Sequence, residues 1–351
     1  MSPAPVQHHA DHAAAAGPLA ATVQVLEPAP PAQADETAGD ARRGRAEALQ
    51  AKLPQGLFEF AARCSAKPSK PARSLVPAEL LTRSRHRGVP VTWIDRAAAA
   101  RGVIIHLHGG SFAYCEKPDH WNWLDDLRLR TGAAVAMVHY RLAPQLPFPA
   151  AYDDAIEAVR GILEDLEPMD MPWVLSGDSA GGGLALAVAQ ALHAKHEREP
   201  RGIVLTSPWV DLTGADAMLR QQAARDEASS LELLQRCTAL YADGQNREDP
   251  RLSPLFGEMT GLPPVHLVTG TDDLLYGDAV RLREALSEAV VPLSYLAQPG
   301  GTHLFPLTWR GPVSQHARRA QITFVRECLG LQAAVGLAAG IDAAFDGAAG
   351  H

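Results

Sequence analysis

The chain has 351 residues, is 46% hydrophobic and 21% charged, and carries a formal net charge of -8. That apolar share excludes wholesale disorder. The excess of 40 acidic over 32 basic residues argues against a nucleic-acid partner, which needs a basic face. No run of about 18 apolar residues occurs, so no membrane span is expected.

Residues 1–50 include fifteen Ala and six Pro, and no aromatic residue precedes Phe58. Such a segment buries too little apolar area to offset its ordering entropy, so residues 1–45 read as a disordered Ala/Pro-rich tail. His8, His9 and His12 then belong to that tail and not to a metal site. The start lacks the basic and apolar regions of a secretory leader. Four scattered cysteines (Cys64, Cys115, Cys237, Cys328) form no CxxC pair. Together these features point to reduced thiols in a cytoplasmic protein.

Residues 46–330 read as one domain. Short apolar, β-branched runs occur at Val91–Ile94, Val103–Leu107, Ala134–His139, Trp173–Leu175, Ile203–Thr206, Val265–Thr269 and Leu293–Leu296. Most are continuously apolar, as strands covered on both faces are. Between them lie helical stretches, the clearest being Ala150–Leu166, Ala180–His193, Asp278–Val290 and Gln315–Cys328. The alternation predicts an α/β fold with a mostly parallel central sheet, helices on both faces and loops for chemistry at the carboxyl ends of the strands. Two stretches break it, residues about 46–85 and 212–250, and these are expected to pack together as a helical cap over the strand ends. Residues 331–351 form an Ala/Gly-rich tail.

The sharpest local signal is Gly177-Asp178-Ser179-Ala180-Gly181, between a strand and a helix-forming run. A tight strand-to-helix turn there exposes the Ser179 hydroxyl at a helix start, whose dipole favours an oxyanion. A serine becomes a nucleophile only beside a base, and the base needs an orienting acid. Asp272 and Asp273 follow one strand, and His303 follows the next through Gly300-Gly301-Thr302. Upstream, Val103–Leu107 runs into His108-Gly109-Gly110-Ser111, where small residues let N–H groups face a cavity.

These residues resemble the hormone-sensitive-lipase branch of the α/β-hydrolases over roughly residues 75–328. The similarity rests on His-Gly-Gly at 108–110, Gly-Asp-Ser-Ala-Gly-Gly at 177–182, and Tyr140-Arg141-Leu142-Ala143-Pro144 with Phe148-Pro149-Ala150 and Asp153-Asp154. It extends to Ser207-Pro208-Trp209 with Asp211, and to Ser253-Pro254-Leu255. The resemblance implies Ser179, Asp273 and His303 as catalytic residues, with the acid at Asp273 because Leu274-Leu275 and Asp278 follow it. It implies an oxyanion hole from Gly109, Gly110 and Ala180. The departure is Ser111, where many members carry a third glycine.

Ser111, Phe112, Tyr114 and Trp209 are expected to line the substrate pocket. Arg141 is expected to tie loops through charged hydrogen bonds, and His106 to be a packed strand residue. The implied activity is hydrolysis of small soluble esters, with short to medium acyl chains, acetyl groups or lactones. No cofactor or metal is implied, and a homodimer is compatible with the resemblance. The alternatives are a non-catalytic ligand-binding protein on the same scaffold, and an amidase.

Overall fold

In an apolar strand covered on both faces, alternate residues enter separate cores, and the strand Val103–Leu107 shows it. Val103, Ile105 and Leu107 belong to one buried cluster and Ile104 to another. The computed structural model describes residues 23–30, 37, 39–65, 71 and 76–331. Their strands are β1 (Val23–Val25), β2 (Leu81–His86), β3 (Val89–Ile94), β4 (Val103–Leu107), β5 (Ala134–Val138), β6 (Trp173–Asp178), β7 (Ile203–Thr206), β8 (Val265–Gly270) and β9 (Leu293–Gln298). They form a single sheet in the order β1-β9-β8-β7-β6-β4-β5-β3-β2. The pairs from β1 through β5 are parallel, while β3 runs antiparallel to both β5 and β2.

The helices are α1 (Asp40–Ala51), α2 (Gln55–Ser65), α3 (Pro118–Thr131), α4 (Ala150–Leu166), α5 (Ser179–Ala194), α6 (Leu219–Gln222), α7 (Leu231–Ala242), α8 (Tyr276–Glu288), α9 (Phe305–Thr308) and α10 (Pro312–Cys328). Apolar residues of α4, α5 and α8 share the first cluster, on one face of the sheet. Trp121, Trp123 and Leu124 of α3 join Phe324 and Val325 of α10 in the second, on the other face. The seven expected strands and four expected helices are all present, with ends moved by a few residues.

Three expectations change. The first is the tail. Residues 1–22 and 332–351 lie outside the described residues, with His8, His9 and His12 among them, but part of 1–45 is ordered. Val23–Val25 pairs with Leu293–Tyr295, and the Leu26 N–H donates to Tyr295 O at 2.7 Å. The Ala29 backbone exchanges two hydrogen bonds of 2.9 Å with the Gln298 side chain. A short edge strand needs a ladder and no core of its own, which is why composition misses it.

Second, the first cap stretch does not run to residue 85. Leu81–His86 is the outer edge strand, with Arg83 and Arg85 exposed along it, a charged pattern that suits an edge. Third, the cap helices start earlier, at Asp40. Ala51, Phe58 and Ala62 of α1 and α2 do pack with Leu233 and Cys237 of α7, beside Ala113. Arg236 fastens the segments by donating to Leu53 O at 2.7 Å and to Gln55 Oε1 at 3.0 Å.

Candidate active site

Because β4, β6, β7, β8 and β9 are mutually parallel, their carboxyl ends meet at one edge of the sheet. β6 is followed directly by Ser179, the buried first residue of α5, which has a φ of +50°. A non-glycine residue in that region is strained, and the strain is absorbed by the turn that presents the hydroxyl. β8 leads to Asp273 and β9 to His303. His303 Nε2 lies 3.0 Å from Ser179 Oγ, and Nδ1 lies 2.9 Å from Asp273 Oδ1.

Asp273 is fully buried, and Oδ1 also accepts the Leu275 N–H at 2.8 Å. An ionised carboxylate only accepts, so it assigns the imidazole proton to Nδ1 and leaves Nε2 to accept from the serine. Burial alone would lower the His303 pKa, but Asp273, and behind it Asp226 and Glu47, outweigh that and raise it to about 9. Asp272, the other aspartate after β8, joins the loop backbone instead, its N–H donating to Gly301 O at 2.9 Å.

The loop after β4 holds three consecutive residues at positive φ: Gly110 (+124°), Ser111 (+53°) and Phe112 (+58°). Successive N–H groups in such a run form a concavity for an anion. Among the described residues, the N–H groups of Gly110, Ser111 and Ala180 donate to no protein acceptor.

Gly109 is a correction. Its N–H donates to Asp178 Oδ2 at 3.0 Å, so it is not free to hold an oxyanion. Glycine is required there by close approach, since a Cβ would stand 2.3 Å from that same oxygen. Asp178 also meets His106 Nε2 and His120 Nε2, each at 3.1 Å. Burial would raise this carboxyl, but His120 and His106 hold it well below the usual carboxylate range. The Lys117 N–H donates to His120 Nδ1 at 2.8 Å, which leaves the proton of the neutral ring on Nε2, facing Asp178. The nucleophile turn and the anion loop are therefore joined through one buried carboxylate.

A family model described as alpha/beta hydrolase fold matches residues 104–307. The chain belongs to the α/β-hydrolase family. It is 36% identical to an acetyl-hydrolase of Streptomyces hygroscopicus over 228 residues, 65% of this chain and 75% of that relative. It is 34% identical to an esterase of Acinetobacter venetianus over 239 residues, 68% of this chain and 76% of that relative. A crystal structure of an esterase from the bacterial hormone-sensitive lipase family superposes with a TM-score of 0.72 at 27% identity, covering 85% of this chain and 100% of that one.

In this α/β-hydrolase, Ser179, His303, Gly110 and Ser111 line a cavity of about 80 Å³, together with Leu233 of the cap and Leu274. Arg43, Glu47 and Lys117 add charge to its lining. Three expected pocket residues are corrected. Phe112 and Trp209 are buried, and Phe112 stacks on Tyr241 with ring centroids 3.9 Å apart. Tyr114 packs against the cluster under the cap. Arg141 makes the expected charged hydrogen bond, its Nε donating to Asp154 Oδ2 at 2.7 Å, but it ties its loop to helix α4 and not to another loop.

The sequence reading missed Asp178 and His120 as partners of the anion loop. The available signal was polar residues in runs otherwise fit for burial. Among the described residues, no group of three or more His, Cys, Asp or Glu side chains is placed to hold a metal ion. No helix among them is long and apolar enough to cross a membrane.

Proposed function

We propose that this α/β-hydrolase cleaves carboxylic esters of small substrates through an acyl-enzyme on Ser179. The observation that carries the reading is the continuous chain from Ser179 Oγ through His303 to Asp273, with contacts of 3.0 and 2.9 Å. Both lie within the reach that proton transfer needs. Two relatives, an acetyl-hydrolase and an esterase, support the same bond class.

His303 takes the Ser179 proton as Oγ attacks the ester carbonyl. Negative charge gathers on the former carbonyl oxygen and is met by the N–H groups of Gly110, Ser111 and Ala180, each worth about 2.7–4 kcal/mol where such donors have been removed. Ser111 thus takes the place first given to Gly109. His303 then gives its proton to the departing alcohol, and water repeats the cycle to release the acid. Asp273 orients the ring and stabilises the imidazolium.

A cavity of about 80 Å³ is far below the roughly 300–1,000 Å³ of sites for drug-sized ligands, which favours acetyl and other short acyl groups. The free, mostly buried thiols fit a reducing compartment such as the cytoplasm. Ser179→Ala is expected to abolish turnover of p-nitrophenyl acetate, and a fluorophosphonate is expected to label Ser179 in the wild type. Unchanged activity in the variant overturns the assignment.

A further inference from the structure

The loops bearing Asp273 and His303 are gripped from the cap side by buried polar side chains. From the second cap segment, Gln222 Nε2 donates to Thr271 O at 2.8 Å, and Asp226 Oδ2 accepts the Leu274 N–H at 2.8 Å. These two contacts bracket Asp273. The other oxygen of Asp226 accepts the Ala228 N–H at 2.8 Å, so one carboxylate spans the cap turn and the acid loop. From the first segment, Asp40 opens α1 and accepts from Thr302 Oγ1 and Trp309 Nε1. Thr302 directly precedes His303.

Asp40 and Asp226 are only 2% and 6% exposed. Burying a carboxylate is costly unless partners meet it, and here the partners sit on the two loops that bear the proton relay. Neither side chain lines the cavity. Apart from these contacts, the two loops are joined mainly backbone to backbone, as in the bonds from Thr271 N to Gln298 O and from Asp272 N to Gly301 O, both 2.9 Å.

We propose that Asp40 and Asp226, one from each cap segment, are positioning residues that hold His303 and Asp273 in register for proton transfer with Ser179. The proposal rests on the ester-hydrolase reading above. It makes the cap part of the acid–base machinery in addition to a cover. A displacement of about 1 Å in such a relay costs on the order of 10²-fold in rate.

Charge gives this role a signature that simple packing lacks. The charged groups that act most strongly on His303 are Asp273, Asp226 and Glu47, all acidic, while Arg43, Lys117 and His120 share its cavity lining. Those facing Asp226 are Asp273 and His303. A protonated imidazole cannot accept the serine proton, so kcat/KM rises as pH passes the His303 pKa. Neutralising Asp226 removes one charge that favours the imidazolium and moves this acid limb to lower pH.

The test uses full-length Asp40→Asn and Asp226→Asn proteins, assayed with p-nitrophenyl acetate for kcat, KM and the pH profile, with thermal melts as a control of folding. Expected is a fall in kcat of about 10- to 100-fold with KM changed less than about 3-fold, and for Asp226→Asn an acid limb at lower pH. Folded variants with full kcat and an unmoved profile overturn the proposal. If either variant fails to fold, Thr302→Val on the His303 side or Gln222→Leu on the Asp273 side removes a grip more gently, and full kcat there overturns that half. Absence of ester turnover and of Ser179 labelling in the wild type defeats the parent reading instead, so the two failures are distinguishable.

Discussion

At Gly109 an added methyl group has nowhere to go: it would stand 2.3 Å from Asp178 Oδ2 and 3.0 Å from the Ser179 Cβ. The backbone must retreat, breaking the N–H contact to Asp178 and carrying Gly110 and Ser111 away from the nucleophile. Gly109→Ala is therefore expected to lower kcat by about 10²-fold, since the loop would no longer be held where the oxyanion forms. Steady-state kinetics decide it, and an unimpaired kcat would show that the loop is not anchored through this contact. The same residue shows where sequence reading ends. Ser179, Asp273 and His303 were legible because each sits in a short pattern tied to a strand end. Which glycine of the anion loop faces the cavity, and that Phe112 and Trp209 turn into the core, depends on φ values and ring directions that spacing does not encode.

The strands carry a second titration, unrelated to activity. His266 of β8 is fully buried, and burial pushes its pKa down to about 3. His108, just after β4, is lowered to about 4, again by burial, although Glu116 opposes the change. Both fall below the unfolded value of 6.5, so as pH drops below 6.5 the unfolded chain binds protons that the folded one refuses. Stability present above pH 6.5 is thus lost toward acid, by about 2 kcal/mol per histidine at pH 5. His303 does not offset this, because its raised pKa affects stability only as pH climbs from 6.5 through about 9. Asp178 enters only as pH nears 3.8, whereas Asp278 and Asp226, raised by burial to about 7 and about 6, take up protons in the folded state over this range and oppose the loss. The histidine share is read by difference: between pH 6.5 and 5 a His266→Gln variant should lose less Tm than the wild type, and an equal loss contradicts the account. Strands covered on both faces were legible as apolar runs. β1 and β2 were not, since one has three residues and the other is a charged edge.

Across the whole molecule, the amino-terminal segment closes one edge of the sheet and meets the strand that leads to His303. Ala29 is bonded twice to Gln298, the last residue of β9. A chain lacking residues 1–30 loses β1 and both of these bonds, leaving the β9 edge unpaired. It is expected to melt lower than the full-length protein and to turn over esters more slowly. A truncated protein with unchanged Tm and kcat would show that this edge has no bearing on the site. The cap was legible as two interruptions in the alternation, but its grip on the acid–base loops was not. That grip joins Asp40 to Thr302, 262 residues apart, and no local pattern reports such a contact.

β1 and β9 stand at nearly opposite ends of the sequence, and this orders events on the ribosome. Val23–Val25 is made before the partner it pairs with, Leu293–Tyr295, which emerges some 270 residues later. Contacts so remote form slowly because a long loop must close first. The nascent enzyme therefore carries β1 unmatched while some 270 residues are added, and that border of the sheet is sealed only after β9 has emerged.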